Sequence, residues 1–318
     1  MNKRIGFFSN QLGLRGTEVS MFDYAKYNKE ILGNESFIIV KNNVDQNAAD
    51  KFLKEFQAVY IANNITDLYH TIDDLKLDFL YKTCAGDYEE IPDNCPVGIH
   101  AVFRRFEPFG SVYAYISEYL RNVCVPKDKI QKYDYVPYMV TLPNEDGDLR
   151  KELNLSKDDL VFGYHGGRDS FNIDFVKQTI AKVAAEKKNI KFIFMNVDQF
   201  VDHENVLFLP GTSDMVYKVK FINTCNAMIH ARNIGETFGL SCAEFSFRNK
   251  PVITCSYGLD LCHLHILKHK AIIYSNGLDL YKIFTNFKDY VRFDEYDCYS
   301  SKFNPTTVMK RFEKVFLL

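Results

Sequence analysis

The chain has 318 residues, 47% of them hydrophobic and 25% charged, with 39 Lys and Arg against 41 Asp and Glu. That length exceeds one ordinary core and suits two domains, and the composition is that of a folded globular protein without extended disorder. No apolar run approaches a bilayer span, no basic stripe with interleaved aromatics marks a nucleic-acid surface, and the amino-terminal segment lacks a signal peptide's apolar core. A cytoplasmic protein with no transmembrane segment and no nucleic-acid partner is expected. The charge is uneven: residues 1–150 hold 17 basic and 22 acidic side chains and the remainder 22 and 19, so the second half is the better host for an anionic ligand. Eight scattered cysteines without a CxxC pair read as reduced core thiols.

In chain order, residues 3–8 read as a strand, 11–16 as a glycine turn and 17–28 as a helix with apolar side chains at helical spacing. Strand, glycine turn and helix open a Rossmann-like unit. The GxGxxG fingerprint is absent, which points to a phosphate or acceptor loop and away from a dinucleotide site. Strand signals recur at 36–40, 58–62, 77–81, 97–103, 112–117 and 135–138, with helical stretches such as 47–57 and 117–123 between them. That alternation marks a parallel α/β sheet.

Residues 142–148 (Leu142-Pro143-Asn144-Glu145-Asp146-Gly147-Asp148) form a polar, turn-rich linker. Beyond it the pattern restarts. A strand at 159–165 runs into Gly166-Gly167-Arg168, a helix is expected over 173–187, and strands over 191–195, 205–209, 227–230, 251–255 and 271–274. Asn304-Pro305 opens a last helix to Leu318, with proline at a favoured first-turn position. The expected architecture is α/β: two Rossmann-like domains, residues 1–142 and 143–304, facing across a cleft, with a helix over 305–318 packing back on the first.

The stretch with most chemistry is Gly235-Glu236-Thr237-Phe238-Gly239-Leu240-Ser241-Cys242-Ala243-Glu244, followed by the apolar run Pro251-Val252-Ile253. A helix opening near Gly239 would offer free N–H groups and a positive dipole end to an anion. Glu236 would precede that site and Glu244 sit on the second turn, about 12 Å apart along a helical axis. Carboxylates so spaced cannot both touch one phosphate, but they can hold hydroxyl groups on either side of it. A sugar nucleotide has that layout. Taken alone, the same acids also fit the solvated face of an amphipathic helix.

The order of elements, and above all this stretch, resembles the retaining GT-B glycosyltransferases of glycosyltransferase family 4, over nearly the whole chain and most specifically from 161 to 254. The resemblance implies transfer of a hexose-like sugar from a nucleoside-diphosphate-sugar to an acceptor hydroxyl on a glycan or glycoconjugate, with retention, no cofactor and no metal. It makes Glu236 the ligand of the transferred sugar and Glu244 that of the ribose, with the amides of Phe238, Gly239 and Leu240 on the diphosphate. Arg168 matches the family's diphosphate arginine, Gly16 the glycine whose amide meets the diphosphate from the first domain, and His100 the histidine beside the sugar. Read from the residues alone, these three are a surface arginine, a turn glycine and a strand-end histidine satisfied within the fold.

The sequence departs from the family pattern in three places. No lysine follows Arg168 within 169–174, where Asn172 is the polar stand-in; Asn249 replaces the glycine before Pro251, as a left-handed cap; and Arg15 replaces the first of two paired glycines. Asp146-Gly147-Asp148 forms a DxD in the linker, and Cys262, His263, His265 and His269 fit no common zinc spacing, so no metal ligand is assigned. The rival readings are a sugar-nucleotide epimerase or hydrolase on the same scaffold, and a non-catalytic nucleotide-sugar-binding subunit.

Overall fold

The structure, a computed structural model, describes residues 2–13 and 15–318; Met1, and Leu14 of the expected glycine turn, lie outside them. The chain divides into two compact units, Met1–Met139 with Lys302–Leu318, and Val140–Ser301.

Unit 1 runs β1 (Arg4–Ser9), α1 (Gly16–Glu30), β2 (Glu35–Val40), α2 (Gln46–Glu55), β3 (Val59–Ile61), α3 (Ile65–Leu75), β4 (Phe79–Cys84), β5 (Val97–Ala101), β6 (Val112–Tyr115), α4 (Glu118–Cys124) and β7 (Asp134–Tyr135). Among the described residues its strands form one parallel sheet in the order β3-β2-β1-β4-β5-β6-β7. Ile5, Phe7, Ile38, Ile39, Leu80, Tyr81 and Ile99 are all fully buried, as expected where helices cover both faces of a parallel sheet. Three helices start where a short polar side chain caps them: Asp45 accepts from the Ala48 amide, Asn64 from Asp67 and Ser117 from Leu120.

Unit 2 runs β8 (Leu160–His165), α5 (Asp174–Glu186), β9 (Ile190–Met195), β10 (Val206–Leu209), α6 (Met215–Thr224), β11 (Ala227–Ile229), β12 (Gly235–Glu236), α7 (Leu240–Phe247), β13 (Val252–Cys255), β14 (Asp260–Leu261), α8 (Cys262–Leu267), β15 (Ile272–Tyr274) and α9 (Gly277–Thr285). Its main sheet is parallel in the order β10-β9-β8-β11-β13-β15, and β12 pairs with β14 as a separate ribbon.

The chain then returns to unit 1 as α10 (Pro305–Phe312), capped by Asn304, and ends in a wider π-type turn over Glu313–Leu317. The α-helix is therefore shorter than the one expected to reach Leu318. Its aromatic residues account for the return. Phe312 stacks on Phe7 and Tyr24 at centroid distances of 6.2 and 5.3 Å, and Phe316 meets Tyr81 edge-on at 5.5 Å. Such rings each bury roughly 150–250 Å² and dominate the energetics of a core. Among the described residues no helix is long and apolar enough to cross a membrane.

In both units the strand order reverses beside the first strand: between β1 and β4 in unit 1, and between β8 and β11 in unit 2. Open parallel sheets bind ligands outside the carboxyl ends of their strands at that reversal, because the connecting loops there diverge to opposite faces and leave a crevice.

Candidate functional site

At the reversal point of unit 2, β8 ends in His165 and runs on into Gly166-Gly167-Arg168, while β11 ends at Ile229 and is followed by His230 and Arg232. Ile229 pairs with Ile253 of β13, so His230 and Thr254 emerge side by side, with His230 Nδ1 2.8 Å from Thr254 Oγ1. Glu236 follows on β12, whose pairing with β14 sets Gly235 against Asp260. Gly235 has φ of +75°, and a Cβ there would lie 1.8 Å from the Asp260 carbonyl oxygen, so only glycine fits.

Gly239, at φ +86°, turns the chain into α7. A Cβ on it would stand 3.0 Å from His263 Cβ and 3.3 Å from Glu236 Cβ, so the Glu236 side chain lies against the amino end of that helix. The first-turn amides of α7 have no helical carbonyl to bond, and with the helix dipole they favour an anion.

Each acid of the pair has one histidine nitrogen and one cationic nitrogen within 3.2 Å. Glu236 Oε1 is 3.2 Å from His230 Nε2, and Glu236 Oε2 accepts from Arg232 Nη1 at 2.9 Å. Burial alone would raise its pKa; the His230 hydrogen bond and the charge of Arg232 outweigh burial and leave it lowered. Glu244, on the second turn of α7, has Lys218 Nζ of α6 at 3.0 Å from Oε1 and His165 Nε2 at 3.0 Å from Oε2. Burial would again raise this carboxyl, and Lys218 and His165 bring it down to about 2. Burial lowers the pKa of His165 itself, so Lys218 supplies the balancing charge at neutral pH. The two side chains differ in access: that of Glu236 is 15% exposed and that of Glu244 3%.

No protein-family model matches the sequence. No curated protein matches it. Solved structures do match by shape. HepE from Anabaena in complex with UDP-glucose superposes with a TM-score of 0.74 at 12% identity, over 98% of this chain and 99% of that one. A glycosyltransferase from Rickettsia africae gives 0.68 at 12% identity, over 99% and 97%. A Listeria monocytogenes protein assigned as a UDP-N-acetylglucosamine 2-epimerase gives 0.61 at 9%, over 98% and 95%. The fold is GT-B.

Within this GT-B chain the other residues singled out by sequence fall as follows. Arg168 is exposed, its Nε 3.1 Å from Asp198 Oδ1. Asn172 ties loops together: its amide donates to the Ala231 carbonyl and its Oδ1 accepts from the Asn233 amide, both at 2.9 Å, so residue 172 brackets the position of Arg232. Phe238 is buried, with its ring 5.9 Å from that of Tyr299, and Leu240 is the first residue of α7. Asn249 has φ of +57°, the left-handed conformation expected of it.

Gly16 and His100 belong to unit 1. Gly16 is the exposed first residue of α1, preceded by Arg15, whose side chain makes no capping bond. His100 has to be reassigned. It is fully buried, with Nδ1 2.6 Å from the Tyr81 hydroxyl and Nε2 2.9 Å from the Val136 carbonyl, under the rings of Tyr24 and Phe316. Both nitrogens are engaged and burial lowers its pKa to about 4, so it is a neutral core residue with nothing left for a sugar.

His165, Lys218, His230, Arg232, Thr254 and His263 were not anticipated as site residues. His165 and His230 each end an apolar strand run, the signal that drew attention to His100, and their strands are the two that flank the reversal. Lys218 rides on α6, a helix the sequence pattern did not mark. The DxD acids serve the linker: Asp146 lies 3.6 Å from Arg248 and Asp148 accepts from the Arg150 amide. Among the described residues no three His, Cys, Asp or Glu side chains converge as a metal site.

Proposed function

We propose that this chain is a glycosyltransferase that moves a sugar from a nucleoside-diphosphate-sugar to an acceptor hydroxyl of a glycan or glycoconjugate, with retention at the anomeric carbon and without a metal. The observation that carries this is the acid pair: one carboxylate just before the amino end of α7 and one within it, at the strand-order reversal of a GT-B unit, each kept anionic by a cation and a histidine. A diphosphate fits the first turn of α7, a ribose the Glu244 side and the transferred sugar the Glu236 side. HepE, of the same fold, holds UDP-glucose, which supports a nucleotide sugar as the donor class.

In this reading the bond between the anomeric carbon and the phosphate oxygen breaks, the acceptor oxygen bonds to the same face, and the acceptor's proton passes to the departing phosphate. The α7 amides, its dipole and Arg168 stabilise the charge that develops on the diphosphate. Glu236 orients the sugar and balances positive charge at the anomeric carbon. Its lowered pKa and its ion pair with Arg232 make it a poor base, which favours a route that needs none.

The test is incubation of EDTA-treated protein with UDP- and GDP-sugars, with and without candidate acceptors, reading nucleoside diphosphate release. Acceptor-dependent release is expected, with Glu244→Gln weakening nucleotide binding and Glu236→Gln mainly slowing transfer. Binding without consumption under any acceptor would make the chain a binding subunit. The Listeria neighbour keeps one enzymatic rival in view: conversion of the donor to an epimer in the absence of acceptor would decide for it.

A further inference from the structure

The histidine that holds Glu236 is the last link of a longer chain. Thr254 Oγ1 lies 2.8 Å from His230 Nδ1 and 3.1 Å from His263 Nε2, and His230 Nε2 lies 3.2 Å from Glu236 Oε1. His230, Thr254 and His263 are at most 1% exposed, and His263 Nδ1 is buried with no partner among the described residues. Bulk solvent thus does not reach the links behind the carboxylate.

Hydrogen accounting gives this chain a direction. An ionised Glu236 can only accept, so His230 Nε2 carries a hydrogen. Thr254 has one hydroxyl hydrogen, and its candidate acceptors are His230 Nδ1 at 2.8 Å, His263 Nε2 at 3.1 Å and the Cys255 carbonyl at 3.5 Å. The shortest contact, to the nitrogen that His230 leaves bare, takes it. Thr254 oxygen then accepts from His263 Nε2, and the group left over is a bare lone pair on His263 Nδ1. The opposite polarity would strand a buried N–H on His263 and leave a bare His230 Nε2 facing a carboxylate oxygen that can only accept. The one-way order His263 to Thr254 to His230 to Glu236 uses every hydrogen, and each bond polarises the next toward the carboxylate.

We propose that Thr254, with His230 and His263, is a positioning residue that fixes the Glu236 carboxylate for the transferred sugar. The chain grips Oε1 from the core while Arg232 grips Oε2, and each oxygen keeps a second lone pair for a sugar hydroxyl. The carboxylate therefore cannot swing between rotamers when the donor arrives, and its orientation is settled before chemistry begins. The Cys262–His269 cluster gains a role from this, with His263 serving as the buried origin of the chain. The proposal rests on the assignment of Glu236 to the donor sugar, and its test separates the two.

The first arm reads the chain without reference to activity. In protein labelled with ¹⁵N-histidine at neutral pH, His230 and His263 are both expected as the tautomer with Nε2 protonated and Nδ1 bare. A protonated Nδ1 on either ring would overturn the chain. The second arm compares Thr254→Val, which keeps the shape and removes the hydroxyl, with Thr254→Ser, which restores it, in slow hydrolysis of UDP-glucose or of whichever UDP- or GDP-sugar the wild type consumes. Thr254→Val is expected to lower kcat about 10-fold or more, with KM for the donor within about 3-fold, and Thr254→Ser to stay within about 3-fold of wild type in both. A Thr254→Val protein that melts earlier but keeps wild-type kcat would reduce the chain to core packing and sink the proposal. A wild type that consumes and binds no nucleotide sugar, with the tautomers as expected, would instead remove the donor reading and with it the purpose assigned to the chain.

Discussion

Unit 2 should lose stability steeply below neutral pH, and the loss can be traced to His263. Burial lowers its pKa from 6.5 to about 3. A histidine lowered in the folded state stays neutral while the unfolded chain takes up a proton, so its contribution is fully present above pH 6.5 and is lost as pH falls toward the folded value. The slope is about 1.4 kcal/mol per pH unit for one group, so a drop from 6.5 to 5 costs about 2 kcal/mol. His165, also lowered by burial, acts in the same direction. Glu244 adds nothing over this span: its lowered carboxyl contributes fully above the unfolded value near 4.5, and that contribution fades only as pH falls toward about 2. Urea denaturation of wild type and His263→Gln at pH 7, 6 and 5 tests the assignment. The stability difference between them should change by about 2 kcal/mol across the series in favour of the variant, and the imidazole signals of His263 should stay flat down to pH 5. Parallel pH profiles for the two proteins, or a His263 titration midpoint near its ordinary value, would refute the reasoning.

Gly235→Ala should cost about 3 kcal/mol or more, since the new Cβ meets the Asp260 carbonyl oxygen at 1.8 Å on a backbone at φ +75°; a thermal midpoint within a degree of wild type would contradict it. At Asn249 the order of stability should be wild type, then Gly, then Ala. Glycine keeps the left-handed cap but loses the side-chain bonds to the Asp294 carbonyl and the Tyr296 amide, about 1 kcal/mol, and alanine loses the easy backbone conformation as well. An Asn249→Gly protein more stable than wild type by urea denaturation would show that those bonds contribute nothing.

The alternation of strand and helix was readable because each main-sheet strand is an apolar run bounded by turn residues, and burial on both faces demands such runs. Elements fixed by distant partners were not. The two-residue strands β12 and β14 carry no pattern of their own and exist because Gly235 can approach Asp260 so closely. In α8, Cys262-His263-Leu264-His265 alternates like a strand, yet it folds as a helix that buries Cys262, His263 and Leu267. His100 shows the same limit within the site. Its strand end looked like that of His165, but the rings that enclose it include Phe316, which lies 216 residues further along the chain and returns to unit 1 on the segment after α10. Nothing local to residue 100 carries that fact. The two acids were legible as a motif; their histidine and cation partners come from α6 and from the ends of β8 and β11, which topology brings together.

Lys218 tests how that assembly works. The Glu244 carboxylate is 3% exposed, with Lys218 Nζ at 3.0 Å and a histidine whose own burial keeps it neutral. Lys218→Met would leave a buried charge without a cation, a change that typically costs about 3–5 kcal/mol, whereas removing both charges together is often close to neutral. Lys218→Met is therefore expected to destabilise unit 2 by about 3 kcal/mol and the double variant Lys218→Met/Glu244→Gln to recover most of it; additivity within about 0.5 kcal/mol would refute the pairing. The same pair of variants also asks what the lysine does for a ligand. If Glu244 serves the ribose and Lys218 acts only through it, the double variant loses as much affinity for UDP as Glu244→Gln alone. A lysine that itself touched the nucleotide would add a second loss, and the cation missing after Arg168 would then have been supplied from α6.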